Sequence, residues 1–168
     1  MRPSKSHIPE GLATVTPHLV VVSVQEALPF YERAFGAERR SVYPGASPGS
    51  VSHAEIRIGN ASILLSDDTP TSSARSPEML GGTTATLTLY VVHADTAMER
   101  ALAAGARLVM PLADMFWGDR YGMVRDPFGH LWAIATHKED LTDEELDERT
   151  REYLAQMTST GEAAPDRG

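Results

Sequence analysis

The sequence contains no cysteine. That excludes a disulfide framework, a thiolate nucleophile and a thiolate metal site. Long apolar runs are also missing; the longest span a handful of residues, against the ~20 that a membrane helix needs. The first stretch, Met1 to Gly11, holds Arg2 and Lys5 but no apolar core, so no secretory leader is expected there. No basic run is present to meet a phosphate backbone, and neither nucleic acid nor a membrane is an expected partner. These absences leave the cytoplasm as the default location.

What is present is globular. The 168 residues are 42% hydrophobic, a composition that suits one domain or two small modules sharing a core. The net charge of −8 is unevenly spread. Residues 1–137 carry 13 acidic and 11 basic side chains, whereas residues 138–168 carry 10 acidic and 4 basic ones. The acidity therefore belongs mainly to a C-terminal appendage.

The order of elements is read from periodicity. Pro17 to Ser23 is a β-branched strand, and Gln25 to Phe35 is a helix with Leu28, Tyr31 and Phe35 on one face and Gly36 closing it. Pro29 is compatible with that helix only near its first turn. Glu38 to Tyr43 is a strand, and Ser52 to Ile58 with Ala61 to Asp67 form a hairpin through Gly59-Asn60. A linker rich in Ser, Thr, Pro and Gly covers 68–82. The order then repeats: strand Thr84 to Val92, helix Asp95 to Ala104 capped by Asp95, strand Arg107 to Leu112, and two strands flanking Asp126-Pro127-Phe128-Gly129. The helix ends Phe35-Gly36-Ala37 and Ala104-Gly105-Ala106 lie 69 residues apart. The chain reads as a tandem βαβββ duplication, with an N-terminal extension 1–13, modules at 14–67 and 83–137, a C-terminal helix at 138–157 and a disordered tail at 158–168. Thr142 and Glu145 form a capping box at the start of that helix, and Glu145–Arg149 and Asp147–Arg151 are spaced as ion pairs along it.

Two faces alternate along the strands. Thr84, Thr86, Thr88 and Tyr90 stand against Ala85, Leu87 and Leu89, and His53, Glu55 and Arg57 stand against Ala54, Ile56 and Ile58. The helices must cover the apolar face, which leaves the polar face either wet or lining a cleft. Glu55 and Arg57 are expected to pair, and His130 and His137 to lie on the surface.

The duplicated pattern, Phe30-Tyr31 with Phe35-Gly36, Trp117-Gly118-Asp119-Arg120 and Asp126-Pro127-Phe128-Gly129-His130 resemble the vicinal-oxygen-chelate superfamily of glyoxalases, bleomycin-resistance proteins and extradiol dioxygenases. The run from Gly129-His130-Leu131-Trp132 to Asp140-Leu141-Thr142 is similar to a glyoxalase-like branch named after a phosphonate-operon protein, whose members mostly lack an assigned reaction. The resemblance spans residues 14 to 157. It implies an α/β (α+β) fold in which the two modules curl a roughly eight-stranded sheet around a cleft. Metal-dependent members take four ligands from fixed strand positions, which fall here on Thr16, Leu64, Thr86 and Ala133; a two-residue slip in the first strand would bring in His18. None of the four is a His or carboxylate, so no metal and no other cofactor is expected.

The resemblance to bleomycin-resistance proteins then implies metal-independent binding of a small organic ligand, as in drug sequestration or self-resistance, in a homodimer. On that reading His18, His53, Thr86 and Thr88 line the cleft, Trp117 stacks, and Arg120 or Tyr121 offers a polar handle. The alternative is a lyase or isomerase acting on a small carbonyl or polyketide-like substrate, with His53 as the catalytic base.

Overall fold

The computed structural model describes residues 6–159, and every structural statement below refers to them. The chain runs β1 (His18–Val21), α1 (Val24–Phe35), β2 (Glu38–Pro44), β3 (Val51–Ile58), β4 (Ala61–Asp67), α2 (Pro77–Leu80), β5 (Thr86–Tyr90), α3 (Ala94–Ala104), β6 (Arg107–Asp114), β7 (Asp119–Arg125), β8 (Leu131–His137) and α4 (Asp143–Ser159). Its eight long strands divide into two four-stranded sheets of identical order, β1-β4-β3-β2 and β5-β8-β7-β6. In each, the first strand lies parallel to the fourth and the other pairs are antiparallel. The fold is mixed α+β, with two separate sheets in place of one continuous curl and no closed barrel.

The repeat extends to the helix caps. At the start of α1 the Val24 N–H donates to Asp67 Oδ1 at 2.7 Å, and at the start of α3 the Ala94 N–H donates to Thr136 Oγ1 at 2.9 Å. Asp67 is the last residue of β4 and Thr136 the next to last of β8, so in both modules the last strand caps the first helix. This corrects the expectation for Asp95. The residue at the N-cap is His93, which makes no side-chain cap bond, and Asp95 sits two residues further on, within the first turn, with its carboxylate turned to Arg120. Pro29 lies in the second turn of α1 rather than the first, where it withdraws the N–H that Gln25's carbonyl would have accepted; Gln25 faces solvent, which satisfies that carbonyl.

α1 packs on β3 and β4, α3 packs on β6, β7 and β8, and the two helices pack on each other. The core therefore lies between the sheets. Trp132 of β8 places its ring 5.7 Å from Tyr31 and 4.4 Å from Phe35 of α1, and Phe128 and Phe30 complete the cluster. Beneath these rings Asp126, only 3% exposed, accepts from Tyr31 Oη at 2.8 Å, Trp132 Nε1 at 2.9 Å, and the Phe128 and His130 N–H groups, each at 2.9 Å. Four donors satisfy this buried carboxylate. Burial and Asp126 together hold the Tyr31 phenol well above its usual pKa, so it stays protonated and donating.

The linker is more ordered than its composition suggests. Asp68 accepts from Arg75 Nε at 2.6 Å and from the Ser76 N–H at 2.7 Å, and buried Ser76 caps the single turn of α2. At the C-terminus the capping box forms, with Glu145 N–H donating to Thr142 Oγ1 at 3.2 Å and Thr142 N–H to Glu145 Oε2 at 2.9 Å. α4 reaches Ser159, two residues beyond the expected end; the rest of the expected tail lies outside the described residues, as do residues 1–5. Arg149 pairs with Glu139 at 2.6 Å, not with Glu145, and Arg151 Nε donates to the Asp147 carbonyl.

Candidate functional site

The polar strand faces point away from the helices, as the alternation requires. They do not converge on one cleft. Between the first strand of each module runs a seam, and its two ends open into cavities of about 570 Å³ and about 540 Å³ that share Leu87.

The larger cavity takes one wall from β5, residues 86–90, and the other from the β3–β4 turn, residues 58–61. Pro17, Ile63 and Trp132 supply the apolar remainder, and no lining residue carries a formal charge. Thr86 and Thr88, both expected here, do line it; Tyr90, Asn60 and Trp132 join them without having been singled out by the sequence. The turn wall keeps its shape because Gly59 takes φ 57 between the paired residues Ile58 and Ala61.

The second cavity contains His18 together with Arg75 and buried His130. His130 is not a surface residue. Its Nε2 donates to the Val20 carbonyl at 3.1 Å, which ties the second module to the free edge of β1. His137 does lie at the surface, but its two nitrogens bond Asp119 at 2.7 Å and Asp140 at 3.0 Å, and these partners raise its pKa, Asp140 first.

The other expected residues stand in separate groups. His53 lies on the outer face of the first sheet, with its ring 5.9 Å from His18 and 6.2 Å from Tyr43. His18 Nε2 is 3.0 Å from Ser66 Oγ, and burial followed by the neighbouring His53 lowers its pKa, so it is neutral at pH 7. Glu55 and Arg57 do not pair with each other. Glu55 accepts from Ser62 Oγ at 2.9 Å, and Arg57 Nε donates to the Gly59 carbonyl at 3.0 Å.

Trp117 and Tyr121 meet on the second sheet, with ring centroids 5.6 Å apart, and Trp117 Nε1 donates to Asp119 at 3.2 Å. Tyr90 Oη donates to the same carboxylate at 2.9 Å, and this contact raises the Tyr90 pKa. Arg120 does not join them. Along β7 it alternates with Tyr121, so it turns to the helix side, where Asp95 holds it at 2.6 Å and Asp114 at 3.3 Å. The expected polar handle is thus already spent on an ion pair.

Strand register also bears on the metal positions. Leu64 pairs with His18, and Ala133 pairs with Thr88. The neighbouring quartet is therefore His18, Leu64, Thr88 and Ala133, shifted by two residues from Thr16 and Thr86. One imidazole, one hydroxyl and two hydrocarbon side chains do not fit a divalent ion. Among the described residues no group of three or more His, Asp or Glu stands close enough to hold one.

Two βαβββ modules, with helices packed inside, polar sheet faces outside and a neutral cavity at their seam, define the class of paired-module α+β proteins. The chain belongs to the Glyoxalase/Bleomycin resistance protein/Dioxygenase superfamily, whose model matches residues 11–134. It is 40% identical over 135 residues to the uncharacterised Mycobacterium tuberculosis protein Rv0887c, covering 79% of each. The Escherichia coli protein YjdN is 27% identical over 136 residues, 70% of this chain and 90% of its own. Among solved structures, TioX from Micromonospora superposes with a TM-score of 0.60 at 28% identity, over 74% of this chain and 98% of TioX. The Listeria monocytogenes fosfomycin resistance protein FosX shares the fold, with a TM-score of 0.56 at 17% identity over 80% of this chain and 97% of FosX. No described helix is long and apolar enough to cross a membrane.

Proposed function

We propose that the protein binds a small organic molecule without a metal ion, in the cavity between β5 and the β3–β4 turn. The observation that carries this reading is the lining itself. About 570 Å³ of space is lined mainly by apolar side chains, with Thr86, Thr88, Tyr90 and Asn60 as its polar members, the size and composition of a drug-sized ligand site. The hydrocarbon side chains Leu64 and Ala133 at the metal positions support metal independence. The family's bleomycin-resistance members support a role in sequestration or self-resistance.

The test uses N-phenyl-1-naphthylamine, a neutral fluorescent probe. Saturable binding at one probe per chain, unchanged by EDTA and lost in Ala61→Trp, is the expected result. Binding that vanishes on chelation, or no saturable binding at all, overturns the reading. We further propose a homodimer. The exposed apolar side chains Val42, Tyr43, Leu108 and Val109 on the outer strands support it, and sedimentation velocity tests it.

One observation favours a second reading, that of a lyase or isomerase. His53 is then the proton acceptor of the first step, with the His18 ring 5.9 Å away and its Nε2 3.0 Å from Ser66 Oγ. A bound ligand recovered unchanged after incubation favours the binder, and a new product favours the enzyme.

A further inference from the structure

Among the described residues β5 is an edge strand whose only neighbour in its sheet is β8. The direction of its backbone groups follows from one bond: the Val91 N–H donates to the Ala135 carbonyl on β8. Peptide groups alternate sides along a strand, so Leu87 and Leu89 also point their N–H and C=O groups at β8. Thr86, Thr88 and Tyr90, which line the larger cavity, point theirs the other way, off the open edge of the sheet. Three donors and three acceptors therefore line one wall, repeating about every 6.7 Å.

Edges of this kind are normally blunted by charged residues, proline or a bulge. Thr86 to Tyr90 contains no charge and no proline, and its pairing with β8 runs without a register shift. The opposite wall stands off far enough to leave the cavity open, and Pro17, Ile58 and Ile63 make it mainly apolar, with Asn60 as its polar side chain. A ligand meeting both walls presents amide donors and acceptors on one side and hydrocarbon on the other. Because nothing in the lining is charged, the complementary ligand is neutral as well.

We infer that the cavity takes a neutral, extended, peptide-like amide, which adds as a short strand to the free edge of β5. This rests on the cavity reading proposed above and names the ligand class that the cavity would take.

The probe is acetyl-Val-Ala-Val-methylamide, alongside its analogue with the central amide replaced by an ester. Binding of the amide should slow hydrogen exchange at Thr86, Thr88 and Tyr90 at least tenfold and leave the already bonded Leu87 and Leu89 unchanged. The ester should bind about tenfold more weakly. Thr88→Pro removes the central outward donor without breaking a bond to β8, a change edge strands tolerate; in it the amide and ester should bind alike. Should that variant fail to fold, the exchange pattern and the ester comparison in the wild-type protein decide by themselves.

If N-phenyl-1-naphthylamine binds but the tripeptide does not, or binds without the alternating pattern, this inference falls and the cavity reading stands. If neither probe binds, both fall. Slow exchange at the same three amides without tripeptide, growing with protein concentration, would assign the edge to a second copy and overturn the inference.

Discussion

The hydroxyl of Tyr31 and the carboxylate of Asp126 meet at 2.8 Å across 95 residues of sequence, and they join the helix of one module to the final turn of the other. Tyr31→Phe keeps the ring packing and deletes only the donor. It should lower unfolding free energy by about 1–3 kcal/mol, the cost of leaving a buried polar group short of a partner. Asp126→Ala, which strands four donors at once, should cost more. Urea denaturation of the two variants orders them.

The surroundings of His137 predict a pH dependence. Asp140 and then Asp119 raise its pKa above the usual 6.5, so folding favours the protonated ring. The stability this supplies is complete below about pH 6.5 and is lost as pH rises through the raised value. The stability difference between wild type and His137→Gln should therefore be largest near pH 5 and shrink toward pH 9. A difference that grows with pH would contradict the assignment. Because the ring is exposed to solvent, salt should weaken the effect.

Two glycines make a matched pair. Gly36 takes φ 68 with open space around it, whereas a Cβ on Gly118, at φ 93, would sit 2.6 Å from the Glu139 carbonyl oxygen. Gly36→Ala should cost about 1–2 kcal/mol for the left-handed backbone alone. Gly118→Ala should cost more and disturb the approach to α4, where the Lys138 and Glu139 N–H groups both donate to the Gly118 carbonyl. Urea midpoints compare the two, and equal losses would count against the close approach.

The cap of α4 is local. Thr142→Ala removes the hydroxyl that accepts from Glu145, for a loss of about 1 kcal/mol in the stability of that helix. Amide exchange over residues 143–146 should quicken while the amides of β8 hold their rates. Equal acceleration in both places would mean that α4 unfolds only with the body.

The elements were legible because their signals are local. Gly36 and Gly105 end their helices, Gly59-Asn60 turns the hairpin, and strict alternation sorts Thr86 and Thr88 from Leu87 and Leu89. The 69-residue repeat carried the fold class from there. What the sequence left hidden depends on partners far along the chain. Arg120 looks like a free handle until β7 turns it onto Asp95, 25 residues away. His130 looks solvated until the seam closes on it and supplies the Val20 carbonyl. His53 and Thr88 both lie on polar faces, but on faces of different sheets, and only the packing of α1 against α3 sets those sheets apart. Asp119 gave no signal, because its role as common acceptor for Tyr90, Trp117 and His137 arises from the register of β7 and β8 and the turn before them.

The shared core also sets an order of events during synthesis. The first module is complete at Asp67, yet the partners of Tyr31 and Phe35 come from Asp126 and Trp132, and the His130 bond back to Val20 spans 110 residues. At about 5–20 residues per second, the ribosome takes several seconds to deliver them. Throughout that interval the aromatic face of α1 stands open to water. The first module's aromatic face therefore gains its cover only when the last strand of the second module has been made.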